Sequence, residues 1–147
     1  MSLVSEREHL LLRAALCSDP QAAISSWKSW SSQIELENAP YPELRLLTAV
    51  YANLTEIAPD FGLPAKLRGK ARATFFKNHL LAREALPTIE AMNAHGPVLI
   101  SKGLGMCIRF NAWSSRIMGD ADIHVPLTSF ESSVRVLRDH GWNPQYG

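Results

Sequence analysis

Residues 98–103 read VLISKG and residues 117–125 read IMGDADIHV. Both stretches are short, largely apolar and β-branched, which is typical of buried strands, and the first ends in a lysine and a glycine. Residues 103–110 between them have the spacing of a short helix. A capping-box pattern at Thr128 and Glu131 predicts another helix to about residue 140. The expected order over residues 98–141 is strand, helix, strand, helix.

The first 95 residues predict helices near 7–16, 20–31, 43–54 and 65–95, separated by prolines and glycines. We expect Trp27 and Trp30, three residues apart on the second helix, to lie in the core. Pro87 is expected to kink or divide the fourth helix. Its inward stripe is predicted to comprise Leu67, Phe75, Phe76, Leu80, Leu81, Leu86, Ile89 and Met92.

Composition describes an ordinary globular protein, because 46% of the 147 residues are hydrophobic and 20% are charged. The formal net charge of +1 gives no global attraction to nucleic acid or to an anionic membrane, so neither partner is implied. A basic run over residues 66–77 could contact RNA, a triphosphate or only water, and we interpret it as a solvated helix face.

The two cysteines, Cys17 and Cys107, lack the spacing of a zinc site and are expected to be reduced thiols. The N-terminus carries charges where a signal peptide needs an apolar core, and no stretch has the roughly 18 apolar residues of a membrane span. A cytoplasmic protein is the simplest expectation.

Asp120 and Asp122 are the most informative side chains, since residues two apart on a strand point to the same side. Two carboxylates held together repel one another unless a cation or hydrogen-bond donors compensate them. Mg²⁺ suits such a pair, because it prefers oxygen ligands and takes phosphate oxygens in its remaining positions. We therefore predict Asp120 and Asp122 as metal ligands and catalytic residues.

Lys102 and Gly103 follow the first strand and begin a helix, whose free backbone N–H groups and positive dipole end favour phosphate. Glycine at 103 permits close backbone approach. Lys102 and Arg116 are predicted to neutralise triphosphate charge. His124 shares the predicted side of Asp122 and is either a further ligand or a strand histidine bonded to backbone.

Together these residues resemble a known family. The run from Ile100 to Gly103, then Arg116, then Gly119 to Val125, then a helix before Gly141 and Trp142 is similar to the uncharacterised nucleotidyltransferase family of the polymerase-beta-like superfamily. The resemblance implies ATP or another nucleoside triphosphate as donor, Mg²⁺ as cofactor and nucleotidyl transfer to an unknown acceptor. It assigns the metal to Asp120 and Asp122 and makes Gly103 part of the phosphate-binding turn. Lys102 and Arg116 match the family's pattern, and their nucleotide-binding roles are inferred from charge.

The expected fold class is α+β, with a helical region over 1–95 followed by a partial nucleotidyltransferase core over 96–147. Two features depart from the wider superfamily: Leu104 stands where a serine or glycine is usual, and no later strand supplies a third carboxylate. Either the sequence is a fragment of a longer enzyme, or another chain completes the site, or the protein binds without catalysis. The alternative function is an interaction or oligomerisation module that retains a vestigial nucleotide site.

Overall fold

A computed structural model describes residues 4–143. Within that range the protein is mostly helical, with six α-helices and one two-stranded antiparallel sheet. Contacts group the chain into two compact units. The first runs to Phe76 and also contains Ala112–Ile117, whereas the second comprises Lys77–Asn111 and the chain from Met118 onward. The boundary between residues 95 and 96 stays a prediction.

Three helices build the first unit: α1 (Glu6–Leu16), α2 (Pro20–Ser31) and α3 (Tyr41–Ile57). Their starts follow from local sequence. Ser5 and Glu8 form a capping box at α1, and the Asp19 carboxylate accepts from the Gln21 N–H at α2, where proline occupies the first turn. A short 3₁₀ turn, Leu36–Asn38, precedes α3. The predicted helices near 7–16, 20–31 and 43–54 are confirmed.

The core of the first unit lies where α1, α2 and α3 pack together. Trp27 and Trp30 are 4% and 1% exposed and stack with ring centroids 5.3 Å apart, so their predicted core position is confirmed. Fully buried aliphatic side chains surround them. These include Leu11, Leu47, Val50, Leu54 and Leu67.

One carboxylate, that of Glu43, is buried in this core at 2% exposure. Arg7 donates a hydrogen bond from Nε to Oε1 of Glu43 at 3.0 Å, and its Nη2 lies 2.9 Å from the same oxygen. The Trp30 indole N–H donates to Oε2 at 2.7 Å. Both oxygens are therefore satisfied, which is what a buried charge requires. The contact ties α1, α2 and α3 at one point.

Helix α4 (Ala65–Asn93) is continuous through Pro87, so the proline does not divide it. Its buried face differs from the predicted stripe. Phe75, Phe76, Leu80 and Leu86 are exposed, and only part of the predicted set is buried. The buried positions of α4 are held mainly by small and short polar residues: Ala71, Thr74, Asn78, Ala82, Ala85 and Thr88, with Leu67, Ile89 and Met92.

The second unit contains β1 (Leu99–Ser101), α5 (Lys102–Phe110), β2 (Asp122–His124) and α6 (Phe130–Asp139). The predicted order strand, helix, strand, helix is confirmed. The strands are antiparallel, and Ser101 lies opposite Asp122.

The predicted strand over residues 117–125 is wrong in length, since β2 has only three residues. Its length is limited by its partner. Because β1 turns into α5 directly after Ser101, residues before Asp122 have no β1 backbone opposite them. The predicted capping box at Thr128 is also wrong: a 3₁₀ turn, Leu127–Ser129, precedes α6, and Ser129 at the N-cap makes no side-chain cap.

In the part of the chain that the structure describes, no helix has both the length and the apolar character needed to cross a membrane.

Glu43→Gln should lower the free energy of unfolding by about 1.5–3 kcal/mol, because the amide cannot accept from both Arg7 and Trp30 as the carboxylate does. Urea unfolding monitored by tryptophan fluorescence measures this loss. The matched control is Glu37→Gln, which removes an exposed pair with Lys66 and should change stability little. Equal losses of unfolding free energy in the two variants would show that the buried carboxylate stabilises the fold no more than the exposed one.

Candidate functional site

The bend between β1 and α5 has an unusual backbone at Lys102, whose φ is +47°. Non-glycine residues seldom adopt this left-handed conformation, and it is enriched at functional sites. Asn111, at the other end of α5, has φ +54°, but asparagine is common at a helix C-terminus. A left-handed residue beside helical ones turns successive N–H groups toward one point, which forms an anion-binding concavity. The strain at Lys102 is therefore the exceptional feature of this helix.

Helix α5 lies very close to the strand that precedes it. A Cβ atom placed on Gly105 would stand 2.9 Å from the Ile100 carbonyl oxygen, which is too short for any side chain. The absence of a side chain at Gly105 therefore permits this close approach of α5 to β1. Gly105 was not singled out in the sequence, although a second glycine two residues after Gly103 was the available signal.

Gly103 is buried, and a Cβ atom there would lie 3.1 Å from Cβ of Met118. A larger residue at this position would press on Met118, which is a packing reason for glycine in addition to the predicted reason, access for a ligand. The phosphate role of the Gly103 backbone stays a prediction.

Lys102 and Asp122 form an ion pair, with Nζ 2.8 Å from Oδ1. The Asp122 side chain is 25% exposed and that of Lys102 is 69% exposed. The hydrogen bond and charge of Asp122 raise the pKa of the Lys102 ammonium, and the more distant charge of Asp120 adds to the effect. Both predicted carboxylates therefore act on the same ammonium.

Asp120 is exposed and precedes β2, so strand alternation does not relate it to Asp122 as the sequence predicted. Of the two acids, only Asp122 contacts Lys102, while the charge of Asp120 makes the smaller contribution to the raised pKa of the lysine. Asp120 also borders a cavity of about 270 Å³ whose other lining residues are mostly apolar: Leu81, Ala85, Thr88, Ile89, Gly119, Ala121, Ile123, Leu137 and Trp142. Trp142 is held there by a hydrogen bond from its indole N–H to the Thr88 hydroxyl at 3.1 Å.

His124 is paired with Ser101, whose hydroxyl oxygen lies 2.9 Å from Nε2. Its partner is thus a side chain rather than the backbone. Among residues 4–143, no three His, Cys, Asp or Glu side chains are grouped closely enough to hold a metal ion. His124 is therefore not grouped with the two acids as a third ligand.

Arg116 belongs to the first unit, whereas Lys102, Gly103, Asp120 and Asp122 belong to the second. Its predicted contact with phosphate stays a prediction from charge alone.

The donor set of the second unit fits Mg²⁺ in kind. Asp120 and Asp122 offer hard carboxylate oxygens, and proteins commonly hold Mg²⁺ through one or two carboxylates while substrate phosphates and water complete the shell. Two carboxylates are thus the number commonly offered to Mg²⁺ that is bound together with substrate phosphates, although too few for a cage made of protein alone.

The sequence model of the uncharacterised nucleotidyltransferase family matches residues 42–147. The chain belongs to this family. The match includes all of α3 except Tyr41 and the whole of the second unit, so the bend, the ion pair and the acids lie within the matched sequence. No curated protein and no solved structure matches the chain.

Gly105→Ala should destabilise this nucleotidyltransferase-family protein, because the added methyl group meets the Ile100 carbonyl and forces α5 away from β1. Gly69→Ala is the matched control. It lies within α4 with open space around its Cβ position, so the better helix propensity of alanine should raise stability by about 1 kcal/mol. Urea midpoints that move in the same direction for both variants would contradict the close approach.

Lys102→Gly should raise the melting temperature by about 3 °C relative to Lys102→Met, because glycine adopts positive φ without steric cost. Both variants remove the ammonium, so their difference isolates the backbone strain. Differential scanning calorimetry measures it. A methionine variant at least as stable as the glycine variant would mean that the bend carries no strain.

Proposed function

We propose that this chain binds a magnesium nucleoside triphosphate, ATP being the expected nucleotide, and holds it for nucleotidyl transfer. The observation that carries the proposal is the meeting of Lys102, Asp122 and the start of α5 at one place in a member of a nucleotidyltransferase family. We also propose that the strand, helix, strand, helix segment is part of a polymerase-beta-like core, because the order of its elements is consistent with one.

The start of α5 supplies the phosphate seat in this proposal. Its first turn has backbone N–H groups without intrahelical acceptors, and the helix dipole adds positive potential there. The Ser101 side chain does not cap these groups, since its hydroxyl is bonded to His124. The Lys102 ammonium adds a full charge at the same end, so a polyphosphate meets both kinds of donor.

Asp120 and Asp122 would hold the Mg²⁺ that accompanies the nucleotide. When bound, the ion supplies Lewis-acid stabilisation of phosphate charge. The chain's own contribution is to fix the triphosphate against α5 and to present the two acids beside it. Transfer would form a bond between the acceptor oxygen and the α-phosphorus and release pyrophosphate, while the acceptor proton leaves to a base.

A Mg²⁺-dependent rise of the melting temperature on addition of ATP is the expected result for the full chain, because a ligand that binds only the folded state stabilises it. Saturation to 100 times the dissociation constant corresponds to about 2.7 kcal/mol. Asp120→Asn and Asp122→Asn should abolish the Mg²⁺-dependent part. Differential scanning fluorimetry with ATP, with Mg²⁺ and with both together measures it.

Asp139→Asn provides the control, since Asp139 is an exposed acid at the end of α6 and should leave the response intact. A wild-type chain whose melting temperature ignores Mg²⁺-ATP, or an unchanged response in both acid variants, would favour the interaction-module alternative. Mass spectrometry of candidate acceptors after incubation with Mg²⁺-ATP then tests transfer itself.

A further inference from the structure

In a nucleotide site the Lys102 ammonium can contact either of two anions, the Asp122 carboxylate or the triphosphate. In this structure it contacts Asp122 Oδ1 at 2.8 Å. The same carboxylate is a proposed metal ligand, and a divalent cation and an ammonium on one carboxylate repel each other. Each cation therefore weakens the contact of the other with Asp122, and binding of the divalent ion favours release of the ammonium.

We propose that Lys102 is an exchangeable counter-ion: it neutralises Asp122 before nucleotide binds and transfers to the triphosphate when Mg²⁺ takes the carboxylate. This inference rests on the proposed function and assigns Lys102 a positioning role within it. The ammonium changes partner, so that Asp122 has a cation beside it both before and after the nucleotide binds.

The geometry of Lys102 suits such an exchange. Its backbone is held by the bend, and its side chain is 69% exposed, so the ammonium can move by rotation of the side chain alone. Lysine is a compact charge on a flexible stem with three rotatable donors, which need no fixed planar partner. Because Lys102 is the first residue of α5, its stem starts at the helix end where phosphate is expected.

If Lys102 exchanges partners, removing its ammonium should change the affinity for a divalent metal and the affinity for the metal–nucleotide complex in opposite directions. Without nucleotide, the ammonium competes with a divalent metal for Asp122, so removing it should tighten metal binding. With nucleotide, the ammonium contacts phosphate, so removing it should weaken binding of the metal–nucleotide complex. A lysine with a merely structural role would not produce opposite changes.

The test compares Lys102→Met with the wild-type full chain. Mn²⁺ alone, followed by electron paramagnetic resonance, should bind roughly twofold to fivefold more tightly to the variant, the range expected for loss of an exposed ion pair. An ATP analogue with a non-hydrolysable α,β-linkage, titrated calorimetrically with Mg²⁺, should bind roughly tenfold or more weakly, as expected for loss of a charged hydrogen bond.

Two controls separate exchange from general charge effects. Lys102→Arg keeps a cation at the bend and should restore both affinities toward the wild-type values. Arg109→Met removes one charge from the last turn of α5, where Arg109 lies over the Phe110 ring, and should change neither affinity. If Arg109→Met reproduces the Lys102→Met result, bulk charge explains it and the exchange is refuted.

Mn²⁺ binding that is weaker, unchanged or undetectable in Lys102→Met would overturn the exchange, because freeing Asp122 must increase its availability to metal. A nucleotide affinity unchanged by Lys102→Met would also overturn it. The two proposals fail separately: if wild-type chain binds no Mg²⁺-nucleotide, the proposed function fails, whereas the Mn²⁺ measurement still decides whether Lys102 competes for Asp122.

Discussion

The register of the two-stranded sheet is the constraint on which the candidate site depends. Ser101 lies opposite Asp122, so the last residue of β1 and the first of β2 meet at the same end of a three-residue ladder. Lys102 follows Ser101 directly, and its side chain therefore reaches Asp122 across the strands. A shift by one residue would turn the β2 side chains to the opposite face and separate the ammonium from the carboxylate.

Order in this small sheet comes from the helix that follows β1 rather than from strand length. Leu104 and Cys107 are fully buried, and Gly105 allows α5 to approach the Ile100 carbonyl. This packing offsets the strained backbone of Lys102. The bend thus presents an ammonium and a helix start together, at a conformational cost that neighbouring burial balances.

The first unit contributes a different kind of order. Its helices are held by apolar burial around Trp27 and Trp30, and by one buried carboxylate, Glu43, whose partners Arg7 and Trp30 come from two helices. Removing a single member of such a group leaves an uncompensated buried charge or donor. The arrangement of α1, α2 and α3 is therefore determined both by apolar packing and by the specific contacts of Glu43.

The family, the order of elements and the identity of the acids follow from local sequence. Capping residues, prolines and apolar spacing are short-range signals, so α1, α2 and the strand–helix–strand–helix order were predictable from them. The motif from Ile100 to Gly103 and the acidic pair pointed to the family that matches residues 42–147. The chemistry expected of Lys102 also came from its residue type.

Only tertiary structure decided how these parts meet. The length of β2 depended on where β1 ends, and the buried face of α4 did not follow the positions of its large apolar residues. The partners of Lys102 and His124, and the close approach at Gly105, are contacts between segments up to 23 residues apart. Local sequence patterns do not show which distant residues will be in contact, because such contacts are fixed by packing and strand register.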